Sequence, residues 1–222
     1  MPEEKKDILK ITIIYDNNSF IPELRTAWGF SCLIKGAEKT ILFDTGGDGK
    51  ILIENLKSLG INPGDVDLIF LSHEHWDHTS GLMDFLNKNH NVVIYLLSSF
   101  PEEIKNSIKS ANAKFIEITK PMYICEKVST TGELGTVIKE QSLVIETKKG
   151  LVIITGCAHP EIVHIIKSVK EYFKQNIYLV IGGFHLGEFS DTELKKIIQQ
   201  FRKVGVKKVG PCHCSGERCR EL

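Results

Sequence analysis

Net charge is the first thing this chain lacks. Its 222 residues carry 28 Lys and Arg against 28 Asp and Glu, so no whole-protein field draws in nucleic acid or an anionic membrane. Lysine supplies 24 of those basic residues and is spread along the chain, which reads as solvated surface rather than a binding stripe. Long apolar runs are missing too: none approaches the roughly 18–20 residues that span a bilayer. The opening Met1-Pro2-Glu3-Glu4-Lys5-Lys6-Asp7 has no apolar core of the kind a secretory signal needs. These absences predict a cytoplasmic protein with a small-molecule substrate and neither nucleic acid nor membrane as partner. They are silent on oligomeric state. There is also no linker, low-complexity tract or tandem repeat. With 42% hydrophobic and 25% charged residues, the expectation is one globular domain over 1–222.

Six cysteines in such a chain read as reduced, structural or metal-linked rather than disulfide-bonded. Cys32 and Cys125 sit in strand-like runs and read as small buried hydrophobes. Cys212, Cys214 and Cys219 crowd the carboxyl end, but the second Cys-x-x-Cys half of a zinc ribbon is absent.

What is present in abundance is ligand chemistry in one short segment. Ser72-His73-Glu74-His75-Trp76-Asp77-His78 places four potential metal ligands within six residues, directly after the apolar run Val66–Leu71. That run reads as a buried strand, so the ligands emerge where a strand ends. His73 and His75 can point one way in an extended segment, while Asp77 and His78 bend toward a second point as a helix at Gly81–Asn87 begins. The cluster can serve two metals, or one metal and a base. Imidazole and carboxylate together suit Zn²⁺, and also Fe²⁺ or Mn²⁺. Trp76 reads as packing.

Around this segment the pattern predicts strands at Ile8–Ile14, Phe30–Lys35, Lys39–Asp44, Asn91–Leu97, Lys114–Ile118, Met122–Ser129 and Ser142–Thr147. Helices fit Lys50–Leu59 and a segment opening at Pro101. The last third alternates strand Leu151–Thr155, helix Pro160–Lys174, strand Ile177–Ile181, helix Ser190–Lys203 and strand Val206–Val209. The helices show apolar residues at helical spacing and the cap Ser190 or Asp191. β-rich and βα halves together suggest two packed sheets with helices outside.

Other polar residues follow strand ends. Asp44-Thr45-Gly46, Gly156-Cys157-Ala158-His159, Gly182-Gly183-Phe184-His185 and Cys212-His213-Cys214 each close an apolar run. Asp44 is expected to orient a ligand histidine or to cap a turn. His159 and His213 are expected to ligate metal. His185 is open between metal ligand, substrate contact and core histidine. His90 and His164 read as surface residues.

At these residues a resemblance is plain. His73-x-His75-x-Asp77-His78 after a strand, preceded by Asp44-Thr45-Gly46, resembles the metallo-β-lactamase superfamily over essentially the whole chain. Thr155–Pro160, Ile181–Leu186 and Pro211–Gly216 are similar to a branch related to a dihydropterin–ribofuranosylaminobenzene-phosphate synthase of methanopterin biosynthesis, most of whose members are described as metal-dependent hydrolases. The resemblance implies an α/β fold, a four-layer αββα sandwich, with one or two divalent metals at the upper edge of the sheets. Two departures stand out. The usual Gly-His-Thr turn is Thr131-Gly132-Glu133-Leu134 here, and the strand-ending Gly-Asp with its bridging carboxylate is Gly156-Cys157. His159 is therefore expected to replace the missing first-site ligand, with Glu133 a weaker candidate. Cys157 is open between thiolate ligand, buried thiol and redox-sensitive bystander.

The resulting expectation is a metal-dependent hydrolase. His73, His75 and His159 hold one metal, and Asp77, His78 and His213 hold the other. Asp77 is the catalytic residue, steering the proton of a metal-activated water toward an ester or phosphate-containing substrate. His185, with Ser215, is the expected substrate contact. The alternatives are a dihydropterin-linked transferase that releases diphosphate, and a non-enzymatic metal or ligand sensor.

Overall fold

The computed structural model describes residues 8–222; the expectation for Met1–Asp7 lies outside them. In the first sheet β1 (Lys10–Tyr15), β2 (Ser31–Lys35), β3 (Ile41–Phe43), β4 (Leu68–Phe70), β5 (Val93–Leu97) and β6 (Lys114–Ile118) lie side by side in chain order. The second sheet has β7 (Met122–Cys125), β8 (Val128–Thr130), β9 (Leu143–Thr147), β10 (Gly150–Thr155), β11 (Ile177–Gly183) and β12 (Lys208–Cys212), again as neighbours in sequence order. Each sheet begins antiparallel and ends parallel: β3 to β6 in the first and β10 to β12 in the second run the same way. Parallel neighbours need a crossover. Here helices supply it: α1 (Gly49–Ser58), then α2 (Trp76–Thr79) with α3 (Leu82–Leu86), α4 (Glu102–Ser110), α5 (Ile162–Phe173) and α6 (Asp191–Val204). A last helix, α7 (Glu217–Glu221), follows β12.

The layering is written in the period of two. Along a strand, successive side chains face opposite ways. Cys32 and Ile34, Ile41 and Phe43, and Leu68 and Phe70 meet Leu143, Ile145, Val152 and Ile154 of the other sheet in one core. Their alternates Leu33, Leu42 and Ile69 turn outward onto Leu52 and Leu56 of α1 and Phe85 of α3. Val144, Leu151 and Ile153 turn outward onto Ile162, Ile165, Ile166 and Val169 of α5 and Leu194 of α6. Strands buried on both faces between two helical layers make an α/β, αββα sandwich. Each of these aliphatic and aromatic side chains contributes about 1.5–3 kcal/mol by leaving water.

Three expectations shift. The strand expected over Met122–Ser129 is a hairpin, β7 and β8, turning at Glu126 and Lys127, where Lys127 takes a left-handed φ of 61°. The helix expected from Pro160 starts at Ile162, because Glu161 has a φ of 71° and cannot join it. The strand at Val206–Val209 is displaced to Lys208–Cys212. Ser190 caps α6 as expected, and Glu193 reciprocates in a capping box, an arrangement worth about 1 kcal/mol. Among the described residues no helix is long and apolar enough to cross a membrane.

Candidate metal centre

Parallel strands of a sheet end at the same edge, and that edge collects the chemistry. β3 runs into Asp44, β4 into Ser72–His78, β10 into Gly156–His159, β11 into His185 and β12 into His213. Such carboxyl ends of strands are where α/β folds place ligands. Among the described residues three groups of potential ligand atoms result, each with its members within 4.8 Å of one another: His73, His75 and His159; Asp77, His78, His213 and Cys157; and Cys157, His185 and Cys214.

The imidazoles are aimed by what stands behind them. His78 Nδ1–H donates to Asp44 Oδ2 at 2.7 Å. The same oxygen accepts the Ser72 hydroxyl at 2.7 Å, and Asp44 Oδ1 accepts the Ser72 amide at 2.7 Å. The Ser72 hydroxyl, its proton committed to Asp44, offers its lone pair to His73 Nδ1–H at 2.9 Å. On the far side, Asn17 Nδ2 donates to the His213 carbonyl at 3.3 Å, which leaves Asn17 Oδ1 to accept His213 Nδ1–H at 2.8 Å. In each case the hydrogen-bond network assigns the proton to Nδ1, so Nε2 presents a lone pair. That is how proteins orient metal-binding histidines.

Of those lone pairs, that of His78 meets Cys157 Sγ at 3.2 Å, and the others have nothing to bond. Nε2 of His73, His159 and His213 are buried without a hydrogen-bond partner, although buried polar atoms normally find one. Asp77 Oδ2 lies 3.1 Å from His213 Nε2, without hydrogen-bond alignment, and 3.7 Å from His78 Nε2. Converging, unsatisfied nitrogens beside a carboxylate fit a divalent metal.

The electrostatics agree. Burial, reinforced by the neighbouring imidazoles, drives His73 well below the ordinary imidazole range and His159 down to about 4. Both imidazoles are thus neutral at neutral pH, each with one ring nitrogen bare. Burial opposes the charge of His78 as well, but the Asp44 carboxylate more than offsets it and His78 is raised. Asp77 is held at about 2, against the effect of its burial, by the imidazoles of His213 and His78.

Glu140 is a residue the sequence reading missed. Buried at 1% exposure, its Oε1 accepts the amides of Gly156, Cys157 and Ala158 at 3.0, 3.1 and 2.9 Å, and its Oε2 that of His159 at 2.9 Å. One carboxylate therefore shapes the loop that delivers Cys157 and His159. Burial pushes Glu140 up to about 7 in spite of those four donors. Gly156 is required here, since a Cβ would collide with Ser72 Oγ and come within 3.1 Å of His73 Nδ1. Asp44, Ala158, His185 and His213 take left-handed φ values of 52°, 60°, 54° and 46°. Non-glycine residues held this way cost energy and gather at functional sites.

Other expected site residues land elsewhere. Glu133 is not in any of the three groups: its Oε1 accepts the Ser98 hydroxyl and the Ser99 amide, each at 3.1 Å. Ser215 is buried, donating to the Cys212 carbonyl at 2.6 Å and accepting the Phe184 amide at 3.0 Å. It has no hydroxyl to spare for a substrate. Trp76 is 60% exposed instead of packed. Trp28, 50% exposed, sets its ring 4.9 Å from that of His213. Exposed His185 lies 4.7 Å, ring to ring, from His159, a position that serves ligation or substrate contact. Cys32 is fully buried and Cys125 half-buried, while His90 and His164 are exposed.

The comparisons with known proteins follow the geometry. The chain is 30% identical to the 7,8-dihydropterin-6-methyl-4-(beta-D-ribofuranosyl)-aminobenzene-5'-phosphate synthase of Methanocaldococcus jannaschii, covering 98% of this chain and 91% of that one. Among solved structures it superimposes on Tm1679, described as a metal-dependent hydrolase of the beta-lactamase superfamily, with a TM-score of 0.79 and 30% identity, over 96% of this chain and 91% of the other. It shares its fold with YhfI from Bacillus subtilis at a TM-score of 0.69 and 16% identity, over 93% and 87% of the two chains. The metallo-beta-lactamase superfamily profile matches residues 29–170. The chain belongs to the metallo-beta-lactamase superfamily.

Proposed function

We propose that this protein is a metal-dependent hydrolase of an ester or phosphate-containing small molecule. The observation that carries the reading is a pair of imidazole clusters, His73, His75 and His159 in one and His78 and His213 beside the ionised Asp77 carboxylate in the other, with Nε2 of His73, His159 and His213 buried and unpartnered. His73, His75 and His159 would hold one divalent metal, and Asp77, His78 and His213 the other. Zinc suits this nitrogen-rich set with a sulfur at hand. When bound, such a metal lowers the pKa of water to about 7 and polarises the oxygen of the group attacked.

The chain's own residues do the rest. Asp77, unprotonated at neutral pH, accepts a hydrogen bond from the attacking water and so points its lone pair at the substrate. Asp44, through His78 and through Ser72 to His73, holds both groups of ligands in one geometry. Trp28 beside His213 and the exposed Trp76 wall the opening with apolar surface that a substrate ring can cover.

A second reading rests on the 30% identity to the dihydropterin-linked synthase over nearly the whole chain. The same site would then stabilise a departing diphosphate while an aromatic acceptor attacks. One panel separates the two: ester, phosphodiester and pyrophosphate substrates, and a dihydropterin diphosphate with an aminobenzene acceptor. Hydrolysis without the acceptor supports the first reading. Diphosphate release only in the acceptor's presence supports the second. No turnover on any of them, with metal bound, would overturn both and favour a sensor.

A further inference from the structure

Cys214, His185 and Cys157 are not absorbed by the two histidine groups. Cys157 Sγ is buried and 3.2 Å from His78 Nε2, at the position where a bridging carboxylate was expected. On its other side stand Cys214 Sγ and a ring nitrogen of His185, all three ligand atoms within 4.8 Å of one another. They come from three strand ends, β10, β11 and β12, that share no local sequence. The pairing is tight: a Cβ added at Gly183 would lie 2.8 Å from Cys214 Sγ and 3.2 Å from Cys157 Cα, so the glycine keeps the sulfurs' approach open.

We infer that Cys157, His185 and Cys214 form a third, thiolate-rich metal seat for a borderline-soft divalent ion such as zinc, sharing the Cys157 sulfur with the seat at Asp77, His78 and His213. Two thiolates and one imidazole are a complete protein ligand set for a catalytic-type zinc, with one position left open. Soft sulfur donors disfavour magnesium and calcium, which prefer oxygen. The Cys214 thiol donates to the Cys157 carbonyl at 3.7 Å, a contact that joins the two strand ends. The backbone pays for the convergence, since Ala158, His185 and His213, each within the cluster or next to one of its cysteines, all have left-handed φ. This inference concerns metal binding alone and stands whichever reaction the histidine groups catalyse.

Cobalt tests it, because a thiolate bound to Co²⁺ gives a sulfur-to-metal charge-transfer band in the near ultraviolet and imidazole does not. Titration of the metal-free protein with Co²⁺ should develop that band, and His75→Ala, which disables only the first histidine group, should keep it. Cys214→Ser should weaken the band and remove one equivalent of bound metal per chain by elemental analysis. His185→Ala, at an exposed position with little risk to folding, should weaken binding at the same seat and shift the band. No band in the cobalt-loaded wild type, or a Cys157–Cys214 disulfide that persists after treatment with reductant, would overturn the inference. So would a band and a stoichiometry unchanged in both Cys214→Ser and His185→Ala, since Cys157 would then serve the His78 seat alone.

Discussion

Asp44 Oδ2 receives the Nδ1 proton of His78 at 2.7 Å, and both side chains are fully buried. The same carboxylate reaches His73 through the Ser72 hydroxyl, so one charge orients an imidazole in each histidine group. Asp44→Asn isolates that charge, because asparagine tolerates the φ of 52° as aspartate does. Metal affinity should fall about 10–100-fold, the usual consequence of losing such a partner. Competition against a chromophoric chelator measures it, and an unchanged affinity would remove Asp44 from the metal centre.

His73 and His75 alone would offer a first metal two protein ligands, whereas catalytic zinc keeps three. His159→Ala should therefore empty that seat while leaving the seat at Asp77, His78 and His213 occupied. Elemental analysis of the folded variant decides this. Full occupancy would mean that another residue completes the first group.

Asp77→Asn preserves size and one ligating oxygen but abolishes the charge that faces His213 and His78. With metal retained, turnover on the substrate identified by the panel should drop about 10²–10⁴-fold, the range of a positioned acid–base group. Near wild-type turnover would show that Asp77 acts only as a ligand.

Glu140 holds four consecutive amides, and at a pH above its value of about 7 Glu140→Gln weakens that hold by removing the charge they converge on. The expected cost is on the order of 2–3 kcal/mol in urea unfolding, the scale of hydrogen bonds to a charged group. His159 is displaced with its loop, so first-seat occupancy should decline in parallel. A destabilised protein with an intact first seat would show that the loop keeps its shape without Glu140.

Acidification should empty the seats in order. Protons compete with metal for His159 only near pH 4, and for His73 below the ordinary imidazole range, because burial depresses both. His78 is raised, so protons compete for it already above the ordinary value of about 6.5. As pH falls, the group containing His78 should lose metal first and the group containing His73 and His159 later. Metal content after dialysis at stepped pH follows the order, and simultaneous loss would contradict it.

Much of this protein was determined by the sequence alone. The alternation of apolar residues in β2 to β4 and in β9 and β10 specifies which side chains face the other sheet and which face helices, because a strand's period is two. The candidate ligand residues follow strand ends in the sequence, and the fold brings His73, His75 and His159 into one cluster and Asp77, His78, His213 and Cys157 into another. Other features depended on tertiary structure. Asn17 and His213 are 196 residues apart in the chain, and nothing local marks Asn17 as the residue that fixes that ring's tautomer. Glu140 stands before β9 with no pattern to betray it, yet it accepts four amides from a loop 16 to 19 residues later. Glu133, closer to the expected turn, spends its carboxylate on Ser98 and Ser99 instead. Cys157 and Cys214 meet only because β10, β11 and β12 lie parallel and end at one edge. Local spacing encodes which face a side chain takes. Which distant groups satisfy a buried charge or a ring nitrogen is decided when the two sheets pack, since desolvation then forces each polar atom to find the partner the fold has brought beside it.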